Sequence, residues 1–144
     1  MNSSRRDFRN PTDDEIRGIL ERAWTIAVVG LSPSPHRPSH RVAAFLIETG
    51  YRVFGVRPNS QEVLGRPCYP RLADVPEKVD IVDVFRRPET LAQHTDEAIA
   101  VGAPVLWFQL GVIDVDSALR AQDAGIQVVM NRCIMVEYGR LVAA

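Results

Sequence analysis

Long apolar segments are absent from this chain. No hydrophobic run approaches the roughly 20 residues that a helix needs to span a bilayer, and the segment from Met1 to Asp7 contains no apolar stretch. We therefore expect neither a membrane-spanning helix nor a secretory signal.

Charge of one sign is not in excess either. The 144 residues carry 17 Lys and Arg against 18 Asp and Glu, which gives a formal net charge of −1. A chain with this balance has no general cationic field for nucleic acid or for an anionic membrane surface. We expect neither of them as a partner.

Cysteine and histidine are scarce. The two cysteines, Cys68 and Cys133, are far apart and form no C-x-x-C pair. This usage favours free thiols in a reducing cytoplasm over a disulfide framework. The three histidines, His36, His40 and His94, lack the spacing and the acidic or thiol partners of metal ligands, so we predict no metal site.

Motifs that mark catalysis are also missing. The sequence has no G-x-S-x-G elbow, no G-x-x-x-x-G-K-[ST] phosphate loop and no H-E-x-x-H helix, each of which carries a specific chemistry. Asp80 and Asp83 lie three residues apart in a predicted strand, so their side chains point to opposite faces rather than forming a carboxylate pair. We predict no catalytic residues.

Short apolar runs alternate with amphipathic segments along the chain. Runs rich in β-branched residues predict five strands, at 25–30, 51–56, 80–85, 104–108 and 126–130. Predicted helices precede the first strand and follow the first, third, fourth and fifth strands, while the Pro- and Gly-rich stretch 57–79 after the second is predicted as loop with at most a short helical turn. The alternation indicates an α/β fold, a doubly wound, mostly parallel five-stranded sheet with helices on both faces.

The chain length suits one compact domain. A capping box at Thr12–Glu15 marks the start of the first helix. We therefore expect residues 1–11 to form a flexible tail and residues 12–144 to form the single domain.

The turn after the first strand carries the strongest functional signal. It offers one glycine, several hydroxyls and a cation, at Gly30, Ser32, Ser34, Arg37 and Ser39, but not the G-x-G-x-x-G spacing of a dinucleotide site. Ser39 is expected to cap the next helix, whose free N–H groups attract an anion. In a doubly wound sheet ligands bind beyond the carboxyl ends of the strands. This turn predicts an anionic, nucleotide-like ligand other than plain NAD.

Cations follow the second and third strands as well. An NAD site usually has a carboxylate after the second strand, whereas this chain has Arg57, which favours a ribose phosphate as in NADP or coenzyme A. After the third strand, Phe85 could cover an adenine, and Arg86 or Arg87 could meet a phosphate. The alternative is that Phe85 belongs to the core and that the arginines are solvated.

Polar groups end the fourth and fifth strands. Gln109 and Gly111 are site candidates, whereas Trp107 is expected in the core. Cys133 invites interpretation as a nucleophile, but a reactive thiol needs a base or a positive field. Arg132 alone does not establish one, so a structural thiol is favoured.

These residues together resemble the stand-alone CoA-binding domain family, which is related to the N-terminal CoA-binding domain of the succinyl-CoA synthetase alpha subunit. The resemblance covers most of the chain. The matching stretches are 28–32 with 37–39, 50–53, 64–65, 80–89, 102–103 with 107–111, and 125–133. Two residues depart from the pattern, because the family usually has Asn where Arg57 stands and commonly has Asp where Asn131 stands.

The resemblance implies a Rossmann-like domain that binds coenzyme A, or an acyl-CoA, at the strand ends. The implied contacts are Gly30, Ser32 and the loop to Ser39 at the nucleotide and pyrophosphate, Val56 and Pro58 at the flanks, Phe85, Arg86 and Arg87 along the ligand, and Gln109 and Gly111 near the pantetheine arm. The histidine and partner domain that the synthetases use for ligation lie outside such a domain, so the resemblance implies no ligase activity.

Three functional hypotheses remain open at this point. The preferred one is a cytoplasmic CoA-binding module without catalysis, which could present its ligand to a protein partner or form a homo-oligomer. The alternative is an NADP-binding oxidoreductase or cofactor-binding subunit, which Arg57 motivates. The third is a subunit that keeps the fold and binds only protein. Within the first hypothesis, a CoA thiol close to Cys133 would allow a mixed disulfide.

Overall fold

The computed structural model describes residues 6–59 and 61–142. The strands are β1 (Thr25–Val29), β2 (Arg52–Val56), β3 (Cys68–Tyr69), β4 (Ile81–Val84), β5 (Val105–Phe108) and β6 (Gln127–Met130). The α-helices are α1 (Asp13–Arg22), α2 (Pro38–Glu48), α3 (Leu91–Val101), α4 (Val115–Asp123) and α5 (Ile134–Leu141). Short 3₁₀ turns occur at Leu72–Asp74 and Pro88–Thr90.

The strands form one sheet in the order β3-β2-β1-β4-β5-β6, and every neighbouring pair is parallel. From β1 the chain moves outwards to β3, and it then crosses back to β4 and moves outwards to β6. This is a doubly wound arrangement, and it confirms the predicted α/β class. The strand order reverses between β1 and β4, which is where such sheets bind ligands.

The predicted strand count of five was wrong by one. Cys68–Tyr69 form β3, an edge strand paired with Gly55 and Val56 of β2. The stretch around it was predicted as loop because Pro67 and Pro70 flank a strand of only two residues, which is too short to show any periodicity. The Pro67 carbonyl nevertheless accepts a hydrogen bond from the Gly55 amide at 3.0 Å.

Apolar layers cover both faces of the sheet. Helices α1, α2 and α5 pack over one face, which includes Ile26 and Ile81. Helices α3 and α4 pack over the other, which includes Ala27 and Val82. All residues of β1 and β4 are buried because successive side chains alternate between two covered faces.

The helix starts follow local signals. The capping box predicted for α1 is present, with the Thr12 hydroxyl accepting from the Glu15 amide at 3.2 Å and the Glu15 carboxylate accepting from the Thr12 amide at 2.9 Å. The predicted cap of α2 was wrong, because Pro38 opens this helix and Arg37 is its N-cap residue. Pro suits the first helical position since it lacks an N–H that would otherwise be unpaired. No helix within the described residues is long and apolar enough to cross a membrane.

Residues 6–11, expected as part of a flexible tail, contact the edge of the sheet at β6. The Asn10 amide donates to the Met130 carbonyl at 3.0 Å and accepts from the Met130 N–H at 2.7 Å. Arg6 donates two hydrogen bonds to Asp123, at 2.9 and 3.0 Å. Residues 1–5 of the expected tail lie outside the described residues. The Asn10 side chain thus occupies a position where a further strand would pair.

Candidate functional site

A cavity of about 830 Å³ opens at the carboxyl end of the sheet. Its walls come from the loop after β1 with the start of α2, and from the loops after β4, β5 and β6. The volume lies within the range of roughly 300–1,000 Å³ that is typical of small-molecule sites. The cavity therefore stands where the strand order predicts a ligand.

Gly30 lets the first loop pass close to the turn after β4. Its φ is +89°, and a Cβ at this position would lie 2.7 Å from the Phe85 carbonyl oxygen. The Gly30 amide also donates to the Val56 carbonyl at 2.9 Å. Only glycine fits both the left-handed backbone and the close approach.

The N-terminus of α2 faces the same cavity. Pro38 and Ser39 line it, and neither a capping side chain nor an acidic residue occupies the first turn. The Ser39 hydroxyl accepts from the Ser32 amide at 2.9 Å, and the Ser32 hydroxyl accepts from the Ser34 amide at 3.1 Å. These bonds fix the loop, while the positive end of the helix dipole is left for an anion.

Four arginines surround the cavity. Arg37 and Arg41 belong to the start of α2, and Arg86 and Arg87 follow β4. No Asp or Glu lines the cavity, and none of the four arginines forms an ion pair within residues 6–59 and 61–142. The Nε atom of Arg86 is buried without a hydrogen-bond partner. Such a concentration of guanidinium groups is suited to phosphate oxygens.

The loop after β6 is held rigidly at the opposite wall. Asn131 has φ +61°, which is uncommon for a residue other than glycine. Its side-chain oxygen accepts from the Gly111 amide at 2.8 Å. The Trp107 indole N–H donates to the Arg132 carbonyl, also at 2.8 Å. The loops after β5 and β6 therefore form one connected wall.

Gln109 joins this wall to the first turn of α5. Its side-chain oxygen accepts from the Ile134 amide at 3.1 Å. The residue is 4% exposed and lines the cavity, and its side-chain nitrogen has no hydrogen-bond partner in the described part of the chain. Cys133, directly before α5, is half-buried and lines the cavity beside it.

The cavity unites most of the residues predicted for the site. Nine of them line it, namely Gly30, Ser32, Arg37, Ser39, Phe85, Arg86, Arg87, Gln109 and Gly111. Four do not, namely Ser34, Val56, Arg57 and Pro58. Val56 is 4% exposed and packs in the core, while Arg57 and Pro58 directly follow β2. Whether each of the thirteen contacts a ligand stays a prediction.

The family model for a CoA binding domain matches residues 24–139, which include every wall of the cavity. The chain belongs to the CoA binding domain family. The resemblance drawn from the sequence is thereby confirmed.

Relatives of this CoA binding domain include stand-alone chains of similar length. It is 38% identical over 131 residues to the uncharacterized protein YneT of Bacillus subtilis (strain 168), covering 91% of this chain and 97% of that one. A solved structure of a hypothetical protein from Pyrococcus horikoshii OT3 superimposes with a TM-score of 0.89 and 41% identity, covering 96% of this chain and 99% of that one.

A much longer enzyme contains a similar stretch. Over 72 residues the chain is 36% identical to acetate–CoA ligase [ADP-forming] I of Archaeoglobus fulgidus, which covers 50% of this chain but only 10% of the ligase. The shared part is therefore a small fraction of that ligase.

Sequence reasoning missed several residues of the cavity in this CoA binding domain. The residues not named as ligand contacts are Pro38, Arg41, Val42, Pro88, Leu110, Val112 and Met135, whereas Cys133 was already considered as a neighbour of the CoA thiol. Arg41 had a usable signal, since it stands four residues after Arg37 and so on the same face of the helix. The apolar cavity residues gave no such signal, because their sequence pattern is the same as that of core residues.

The sequence also did not indicate that Asp83 is buried without a hydrogen-bond partner. It is 0% exposed in the middle of β4, and its neighbours in the sheet register are Val28 and Trp107. Neither carboxyl oxygen has a hydrogen-bond partner, and burial raises the pKa of Asp83 well above its usual value. Asp83 does not line the cavity, but it stands two positions before the cavity residue Phe85, which directly follows β4.

Proposed function

We propose that this protein binds coenzyme A, or an acyl-CoA, in the cavity and catalyses no reaction on it. The observation that carries the proposal is the cluster of four arginines, without any carboxylate, around a cavity at the N-terminus of α2, inside a fold of the CoA binding domain family. Coenzyme A carries a diphosphate and a ribose phosphate, which such a cluster can bind. On a chain with net charge −1, this local excess of positive charge indicates a specific anion.

The order of the strands supports one direction for the proposed ligand. The diphosphate is proposed to lie on the start of α2 between Arg37 and Arg86, above β1 and β4. The pantetheine arm then extends along the ends of β5 and β6, where Gln109 offers an unpaired amide N–H₂ to an amide oxygen of the arm. Apolar wall residues such as Met135 suit the less polar end of the ligand.

The absence of catalysis is proposed from the chemistry of the walls. No Asp, Glu or His lines the cavity, so general acid–base groups are lacking among the lining residues of the described chain. Cys133 is the one thiol among the wall residues of the described chain, and the hydroxyls of Ser32 and Ser39 accept hydrogen bonds from loop amides. Binding and presentation of the cofactor are the functions that this set of groups supports.

NADP binding is the second candidate, and one observation favours it. Arg57 follows β2, and its Nη1 atom is buried without a hydrogen-bond partner. In dinucleotide folds this position meets the phosphate on the adenosine ribose. The same arginine would serve the 3′-phosphate of coenzyme A equally well, so the two ligands must be separated by measurement.

Thermal unfolding with CoA, acetyl-CoA, 3′-dephospho-CoA and NADPH tests both candidates. A ligand at 100 times its Kd adds about 2.7 kcal/mol to the apparent free energy of unfolding. We expect this stabilisation from CoA or acetyl-CoA and none from NADPH. Stabilisation by NADPH alone contradicts CoA binding, and a lack of effect from all four ligands supports a protein-binding role.

A matched pair of variants locates the site. Arg87→Gln should weaken CoA binding by about tenfold, because a hydrogen bond to a charged group is lost. Arg71→Gln removes the same charge from an exposed arginine that pairs with Asp74 outside the cavity, and its Kd should match the wild type. Calorimetric titration measures both, and equal losses in the two variants would show that only net charge matters.

A further inference from the structure

Cys133 is the half-buried thiol of the molecule, and it stands in the cavity wall. It directly precedes Ile134, the first residue of α5, and it lines the cavity with Gln109 and Met135. Nothing in the proposed binding of CoA requires a thiol at this place. The environment of Cys133 therefore calls for an explanation of its own.

The backbone on both sides of Cys133 is fixed by side chains from β5 and the loop after it. Trp107 holds the Arg132 carbonyl at 2.8 Å, and Gln109 holds the Ile134 amide at 3.1 Å. Both peptide groups that flank the cysteine are thus anchored to buried residues, which are 0% and 4% exposed. This anchoring gives the thiol a defined position on the wall and limits its freedom to turn away.

Gln109 supplies an independent sign that a ligand reaches this end of the cavity. The residue is only 4% exposed, and its amide nitrogen forms no hydrogen bond within the described residues. This nitrogen is not fully enclosed by the protein, so it is open to the cavity that Gln109 lines, where a ligand can accept its hydrogen bond. The pantetheine arm of CoA contains amide carbonyls that can accept this hydrogen bond, and its thiol lies at the far end of the arm.

We infer that Cys133 forms a reversible mixed disulfide with the thiol of bound coenzyme A. The inference rests on the proposed function, since it requires the pantetheine arm to run towards β6. The reaction partner is the disulfide form of coenzyme A. The Cys133 thiolate attacks one sulfur of that disulfide, the original S–S bond breaks, and one CoA leaves as a thiolate that takes up the proton released by Cys133. A second thiol reverses the reaction by the same exchange.

Cys68 is the internal comparison. It is 5% exposed, and it packs between Gly55 and the rest of the core away from the cavity. Burial raises the pKa of the Cys68 thiol, which lowers the fraction of reactive thiolate. An oxidant that reacts because of binding should therefore modify Cys133 and leave Cys68 untouched.

The test exposes the reduced full-length protein to CoA disulfide and, separately, to glutathione disulfide at the same concentration. Intact mass spectrometry follows the adduct, and peptide mapping assigns the cysteine. We expect a single CoA adduct on Cys133, formed at least about tenfold faster than the glutathione adduct, because binding holds the reacting sulfurs together. Dithiothreitol should remove the adduct. CoA that lacks its sulfur atom, added as a competing ligand, should slow formation of the adduct because it occupies the cavity without reacting.

Two variants and one titration separate the possible failures. Cys133→Ala should form no adduct, whereas Cys68→Ala should form it at the wild-type rate. Equal rates with the two disulfides, an adduct on Cys68, or no adduct in the wild type would each overturn the inference. Calorimetric titration of the reduced wild type with CoA then distinguishes the cause: binding without an adduct leaves the proposed function intact, and no binding refutes both.

Discussion

The buried carboxyl of Asp83 should make the protein less stable as the pH rises through the mildly acidic range. In the unfolded chain this group ionises near pH 3.9, whereas burial without a hydrogen-bond partner raises the pKa of Asp83 well above that value in the folded protein. Between the two values the folded state binds the extra proton. Each pH unit in that interval therefore lowers the free energy of unfolding by about 1.4 kcal/mol.

Replacing Asp83 by Asn removes this titration while keeping the size of the side chain. Urea unfolding at a series of pH values gives the free energy of unfolding for both proteins. We expect the difference, wild type minus Asp83→Asn, to fall as the pH rises and to level off at the folded pKa. The absolute stability of the variant is less informative, because its amide brings a second unpaired donor into the core.

Asp116→Asn is the matched control for this experiment. Asp116 is exposed in the first turn of α4, so the same chemical change there removes a carboxylate from solvent instead of from the core. If wild type and Asp83→Asn show parallel stability profiles over the whole range, Asp83 is not a protonated, unpaired acid in the folded protein, and the reasoning from its burial fails.

Three further outcomes are expected. Gly55→Ala should lower the free energy of unfolding by about 1–3 kcal/mol, because the new Cβ would lie 2.5 Å from the Cys68 sulfur; Gly139→Ala in α5, where no atom lies within 4 Å, should instead raise it by about 0.5–1 kcal/mol in the same urea titration. Arg57→Glu should weaken the calorimetric Kd for CoA about tenfold more than that for 3′-dephospho-CoA, and equal losses would show that Arg57 does not contact the 3′-phosphate. Asn10→Ala should reduce stability by about 1–3 kcal/mol, because its two hydrogen bonds to the edge of β6 are lost; an unchanged urea midpoint would mean that this contact contributes nothing.

The sequence predicted the architecture well because two covered faces leave a clear mark on it. In Thr25–Val29 every residue after the threonine is apolar, and each of the five longer strands contains at most one polar or charged side chain. The strand β3 left no such mark, since its two residues are held in the sheet by pairing with β2. Periodicity reports burial over several residues and cannot report a contact made by one or two.

The candidate site was predictable only in part, for a related reason. Arg37 and Arg86 stand next to strand ends, where the rule for doubly wound sheets directs attention. Ser39 was assigned to the correct place with the wrong role, because Pro38 determines where the helix begins. Whether the Asp83 carboxyl has a partner depends on side chains of neighbouring elements such as β1 and β5, and no local pattern in β4 contains that information.

The pairing of Asn10 with Met130 has a consequence for how copies of this chain can meet. The exposed edge of a parallel sheet is a template for another strand, and proteins avoid unwanted association by blocking it. At the β6 edge, the Asn10 side-chain amide forms the two hydrogen bonds with Met130 that a residue of a further strand would form. The opposite edge of the sheet is β3, which has only two residues. Two copies that paired through their β6 edges would first have to displace Asn10. Association of copies through their helices requires no such displacement.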